Sequence, residues 1–203
     1  MNRIFIKAKR PGSKFFGNPD VWNKFEWPTA KDENGEDFYL DFICQIDCAE
    51  ASKHDPDGLL PKSGMLYFFY DLDDHYAHNS KVIYYDGDFS KFIPYVVTDE
   101  NDNETCLPEF QIDFESYGGE DKDDNGDYAQ GRFTPNFLLG EPSDPEQLES
   151  SGGDGQLLLQ VDSYIGDHDF NWGGDCGFLC FFIDKADLEK KDFNEVWTEL
   201  AVY

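Results

Sequence analysis

The chain has 203 residues, 43 of them acidic and 16 basic, for a formal charge of −27. A polyanion of this kind is repelled at long range by nucleic acid and by anionic lipid, which argues against both as partners; it attracts basic proteins and divalent cations. No apolar run approaches the roughly 18 residues of a membrane-spanning helix, and Met1 to Lys14 lack the continuous apolar stretch of a secretory signal, so a cytoplasmic protein is expected.

Aromatic residues make up 17% of the chain, enough to supply a sizeable core. The five cysteines are an odd number. Cys44 and Cys180 sit in apolar runs, where cysteine acts as a small hydrophobe. Cys44 and Cys48 are four residues apart, as are Cys176 and Cys180. On a strand that spacing means ~13 Å, too far for a disulfide or a shared zinc. Reduced thiols are therefore expected.

In chain order, residues 1–14 hold five bases and no acid, a basic end suited to neutralising an acidic region of the same chain. Asn2 to Ala8 alternates weakly, as a strand or helix edge does. Phe15-Phe16-Gly17-Asn18-Pro19 and Phe25-Glu26-Trp27-Pro28 are turns with aromatic anchors. Asp32-Glu33-Asn34-Gly35 has the composition of a hairpin turn. It leads into a strand-like segment, Phe38 to Asp47, and then to a helical turn over Cys48 to Lys53. Gly64 to Asp71 is a short aromatic run opened by glycine and closed by aspartate, the pattern of a strand buried on both faces. Lys81 to Tyr85, closed by Asp86-Gly87-Asp88, reads as the next strand.

From Asp99 to Asp127 the composition changes to twelve acids and one base, Lys122. Phe110 to Phe114 alternates within it like a half-buried strand, and an acidic connector is expected around it. Afterwards the order of the first half returns. Leu139-Gly140-Glu141-Pro142 answers Phe16-Gly17-Asn18-Pro19, Leu157-Leu158-Leu159-Gln160-Val161-Asp162 answers Phe42-Ile43-Cys44-Gln45-Ile46-Asp47, and Gly177 to Asp184 answers Gly64 to Asp71. Asp184 is placed to cap a short helix over Ala186 to Lys191, with Asp187 three residues on. Val196 to Tyr203 reads as a final strand. The expected fold is α+β and mainly β, with few short helices: one domain over 1–203, built as two related halves (about 15–98 and 132–203) around one core, with an acidic connector at about 99–131.

Three stretches carry candidate chemistry. Asp121, Asp123, Asn125 and Asp127, with Gly126, match the first half of a calcium loop, which needs hard oxygens at alternate positions and a glycine at the sharp turn. The twelfth position is Arg132 instead of a bidentate glutamate, so a solvated acidic loop explains the same residues. Asp71 to His78 gathers two imidazoles and three carboxylates, a set suited to a divalent metal or simply to a surface loop. Gly166 to Asp175 places His168 between acids and Trp172 beside a glycine pair, with Asp175 following. These three are candidates for a pocket in which an acid-flanked His168 could act as a base, but a glycine-rich turn into a core strand asks for the same composition and is the favoured reading of His168. The chain has no Gly-x-Ser-x-Gly elbow, His-Glu-x-x-His pair, phosphate-binding loop or dinucleotide fingerprint.

Phe16-Gly17-Asn18-Pro19, Trp27-Pro28, Gln45-Ile46-Asp47, Pro61 to Asp71, Leu158 to Asp162, Trp172-Gly173 to Phe182, Asp192-Phe193 and Val196-Trp197 together resemble the YwqG-like family of bacterial proteins. The resemblance runs from about Lys14 to Tyr203 and departs from the family at Asn18, where a second glycine is common. It implies a duplicated, mainly β intracellular protein without assigned catalysis, and gene neighbourhoods shared with toxins and their immunity proteins. The function expected is thus a non-enzymatic interaction module whose acidic loops bind a basic protein partner, such as a cationic toxin. The alternative is a calcium-like metal-binding protein or a metal-dependent enzyme.

Overall fold

The computed structural model describes residues 12–73, 78–98, 101, 103–116, 136–143, 155–165, 168–169, 172 and 177–202. The strands of the first part are β1 (Lys14–Phe15), β2 (Asp20–Val21), β3 (Thr29–Lys31), β4 (Asp37–Tyr39), β5 (Asp41–Asp47), β6 (Met65–Tyr70), β7 (Ser80–Tyr85), β8 (Ile93–Pro94) and β9 (Phe110–Gln111). Those of the second are β10 (Phe137–Leu138), β11 (Gly155–Asp162), β12 (Tyr164–Ile165), β13 (His168–Asp169), β14 (Gly177–Asp184) and β15 (Trp197–Val202). Among the described residues two short α-helices, α1 (Cys48–Ala51) and α2 (Lys185–Lys190), accompany these strands, and the fold is mainly β. None of the described helices is long and apolar enough to cross a membrane.

Two antiparallel sheets carry the architecture, in the orders β7-β6-β5-β1-β9 and β10-β11-β14-β15. Their packing follows from the aromatic runs. Along β6, Leu66, Phe68 and Tyr70 enter the central core, while Met65, Tyr67 and Phe69 enter a second cluster on the other face. Along β14, Leu179, Phe181 and Ile183 join the same central core, while Phe178, Cys180 and Phe182 face outward into a third cluster. Both strands are therefore buried on both faces, as their composition requires. The sheets meet edge to face at Phe68 and Phe181, with ring centroids 5.2 Å apart.

Each sheet has one register irregularity, between Phe42 and Cys44 against β6 and between Leu157 and Leu159 against β14. An extra residue in one strand breaks the two-residue alternation. Accordingly the adjacent pairs Ile43 and Cys44, and Leu158 and Leu159, all turn toward the central core.

The expected segment Phe38 to Asp47 is divided at Leu40. Its N–H donates to Pro28 O at 3.1 Å, and its carbonyl accepts the indole N–H of Trp27 at 2.7 Å. These bonds tie the β3–β4 hairpin and its aromatic anchor to the start of β5. The acidic stretch is joined to the first sheet: β9 pairs with β1, Gly17 N donates to Leu107 O, and Ile112 N donates to Ser13 O, both at 3.0 Å. Asp184 occupies the cap position of α2, but its carboxylate makes no capping bond. The expected element at Asn2 to Ala8 lies outside the described residues.

Candidate functional site

A concavity borders the β1–β2 turn. It is an open groove of about 1350 Å³ between that turn, the loop after β7 and the chain leading into β9. The turn is forced by backbone geometry. Phe16 and Gly17 both have positive φ, 50° and 69°, and a Cβ on Gly17 would lie 2.8 Å from the Cβ of Glu109. Glycine is what lets the β9 segment approach.

Under the groove lies Lys14, buried with its ammonium fully engaged. It contacts Glu109 Oε2 at 2.8 Å, Asp20 Oδ2 at 3.1 Å and Asn18 O at 2.7 Å. One member of the basic N-terminal end thus neutralises the acidic stretch, as the charge asymmetry suggests. Gln45, fully buried, accepts the Asp20 N–H at 2.8 Å and donates to Gly12 O at 2.8 Å and Asp20 Oδ2 at 3.1 Å. Tyr67 donates its hydroxyl to Asp20 O at 2.6 Å, and burial raises its ionisation well above the ordinary range.

The rim is acidic. Among the described residues, Asp20, Asp86, Asp88, Glu104 and Glu109 line the groove, against the single ammonium of Lys14. Asp86 accepts the Ser63 hydroxyl at 2.8 Å. Asp88 caps a single 3₁₀ turn over Phe89–Lys91, and its bonds to the Ser90 side chain and backbone hold its carboxyl below the usual value. Phe89 and Phe92 add aromatic surface to the same wall. The arrangement provides fixed negative charge beside aromatic rings, the chemistry that attracts ammonium and guanidinium groups.

Of the residues singled out in the sequence, the described ones fall elsewhere. Asp121, Asp123, Asn125 and Asp127 lie outside the described residues, as does Asp175. His168 is in β13, paired with Ile165 of β12. Trp172 is buried in the central core, 1% exposed. Asp71 is buried and receives the Asp73 N–H and the Asn79 amide, at 3.1 and 3.2 Å, so it closes the loop after β6. Among the described residues, no three histidine, cysteine or acidic side chains are grouped to hold a metal ion.

Sequence reading passed over the groove acids. Asp86 and Asp88 look like strand-closing turn residues, and Glu104 and Glu109 are lost in a long acidic run. Only the register of β9 on β1 brings Glu109 over Lys14 and identifies it.

Residues 13–201 match the family described as Domain of unknown function (DUF1963), and the chain belongs to that family. No curated protein matches it.

Proposed function

We propose that this protein is a non-enzymatic interaction module that binds a basic polypeptide segment in the groove between the β1–β2 turn and the loop after β7. The observation that carries the reading is the charge of that groove among the described residues: five carboxylates, and one ammonium already held by Asp20 and Glu109. A cationic side chain entering it meets fixed carboxylates that are oriented by hydrogen bonds to Ser63, Ser90 and Asn18. The whole-chain charge of −27 adds long-range steering. Masking of a cationic toxin surface, in the manner of an immunity protein, is one specific form of this role.

A fluorescent Lys/Arg-rich peptide of about 12 residues, followed by anisotropy, tests it. Binding should weaken steeply with salt. Asp86→Asn with Asp88→Asn, which preserves the turn hydrogen bonding, should weaken it about tenfold, whereas Asp184→Asn with Glu189→Gln, outside the groove, should change it little. Equal weakening by both pairs would reduce the reading to diffuse charge. The calcium alternative rests on Asp121, Asp123, Asn125 and Asp127, and thermal unfolding with and without calcium separates it: a site filled at a hundred times its dissociation constant adds about 2.7 kcal/mol.

We also infer that the two sheets descend from one duplicated unit, and that the chain falls in the YwqG-like group of its family. The duplication is supported by the shared strand order β1-β5-β6-β7 and β10-β11-β14-β15, by the matching irregularities in β5 and β11, and by equivalent turns at Phe16-Gly17 and Leu139-Gly140. The YwqG-like assignment rests on the set of motifs from Phe16 to Trp197.

A further inference from the structure

The wall of the acidic groove continues directly into a basic stretch of the same chain. Gly12 lines the groove, and its carbonyl is held there by the Gln45 amide at 2.8 Å. Residues 1–11, which lie outside the described residues, immediately precede it. They carry four bases, Arg3, Lys7, Lys9 and Arg10, and no acid, in a chain whose formal charge is −27.

Covalent geometry alone keeps these cations near the carboxylates. At no more than ~3.6 Å per residue, Arg10 stays within ~7 Å of Gly12 and Lys7 within ~18 Å. A group tethered so closely meets its site at an effective concentration on the order of millimolar, without the orientational cost that a separate molecule meets. The chemistry matches as well. Asp86, Asp88 and Glu104 are exposed where they line the groove. Lys14, the next base along the chain, already has its ammonium on Glu109 and Asp20, at 2.8 and 3.1 Å. The same stretch brings Ile4-Phe5-Ile6, and the groove wall offers Phe92, Pro94 and Leu107.

We propose that residues 1–11 are the resident occupant of the acidic groove, and that a basic partner polypeptide binds by displacing them. This rests on the groove as the partner site and adds the regulation of that site. Occupancy by the chain's own cations lowers a partner's apparent affinity by the fraction of molecules in which the groove is vacated. Weakly charged segments are thereby rejected, and only a strongly cationic one competes.

The test uses the full chain and the same fluorescent Lys/Arg-rich peptide at low salt, where charge pairing is least screened. One variant carries Arg3→Gln, Lys7→Gln, Lys9→Gln and Arg10→Gln. A control variant carries Lys24→Gln, Lys53→Gln, Lys185→Gln and Lys190→Gln, four exposed positions that do not line the groove, with the same change of net charge. The first variant should bind the peptide about tenfold more tightly than the natural chain, and the control less than about threefold. In the natural chain without peptide, carbodiimide cross-linking and mass spectrometry should join Lys7 or Lys9 to Asp86, Asp88 or Glu104 within monomers. Excess peptide should suppress those links. Equal peptide binding by the natural chain and the first variant would overturn the proposal and leave the groove reading standing. Equal tightening in both variants would do the same, since net charge then explains it. Links confined to dimers, or to acids outside the groove, would also overturn it. Peptide binding to none of the three chains would remove the groove reading itself, and this inference with it.

Discussion

Gln45 and Gln160 make the same hydrogen bond in the two sheets: each side-chain oxygen accepts, at 2.8 Å, the backbone N–H of the residue following a turn proline, Asp20 in one and Ser143 in the other. Both glutamines are fully buried. A glutamine in the middle of an apolar strand is tolerated because it satisfies a backbone donor brought in by the preceding turn.

Replacing Gln45 with leucine keeps the volume roughly and removes this bond. The Asp20 N–H and the Gly12 carbonyl then lose their partner. The expected loss is about 2–3 kcal/mol, from groups left unsatisfied. Gln160→Leu, which strands the Ser143 N–H, should cost a comparable amount. Urea unfolding of each variant measures both, and losses under about 0.5 kcal/mol would show that water replaces the amide.

Lys14 is the second buried polar group that fixes the β1–β2 turn. Lys14→Met leaves Asp20 and Glu109 facing one another without their cation. Glu109 is 43% exposed at the side chain and Asp20 21%, so solvent relieves part of the repulsion. The expected cost is on the order of 2 kcal/mol, below that of a fully buried broken pair. It should shrink when Glu109→Gln is added. A double-mutant cycle in denaturant shows the coupling, and strict additivity of the two substitutions would argue against it.

Gly64 opens β6 with φ of +95°, and a Cβ there would overlap the Tyr84 ring. Tyr84 is not free to swing away, since its hydroxyl donates to Ser63 O at 3.0 Å and its ring packs near Phe193. Gly64→Ala should destabilise by on the order of 2–3 kcal/mol. Adding Tyr84→Ala removes the overlap but not the strained backbone, so only part of the loss should return relative to Tyr84→Ala alone. Complete recovery in thermal unfolding would place the whole effect in the ring.

The strands β6 and β14 were legible because composition alone marks them: aromatic residues at successive positions need two buried faces. The hairpin turn before Asp37 and the short helices were legible from local turn chemistry. Position within a sheet was not. Nothing local in Phe110-Gln111 says that it lies on β1, and nothing in Asp86-Gly87-Asp88 says that it faces Glu109 across a groove. Such neighbours are set by register over long separations, which a periodic pattern does not encode. The division at Leu40 was hidden for a related reason, since the Trp27 indole that holds its carbonyl comes from another turn.

The thiols give a test of the core that is independent of any partner. Burial, aided by the charge of Asp47, pushes the Cys48 thiol up to about 12 from an ordinary 9.0, and burial raises Cys44 well above that ordinary value. Burial and the charge of Asp86 likewise raise Tyr84 to about 12 from 10.0. Below pH 9 these groups are protonated in both folded and unfolded chains and contribute no pH dependence. Between 9 and 12 the unfolded chain loses its Cys48 proton while the folded chain keeps it. The folded state then binds more protons, and stability falls as pH rises, by about 1.4 kcal/mol per pH unit for one such group in the middle of the window. Cys48→Ala should flatten this alkaline decline, while creating a small cavity that costs stability at every pH. At pH 8 in the folded chain, Cys44, Cys48 and Cys180 are buried and should resist alkylation, whereas half-buried Cys106 should react before these three. Peptide mapping by mass spectrometry resolves these four sites. Modification of Cys48 at the rate of Cys106 would mean that α1 opens far more readily than its packing implies.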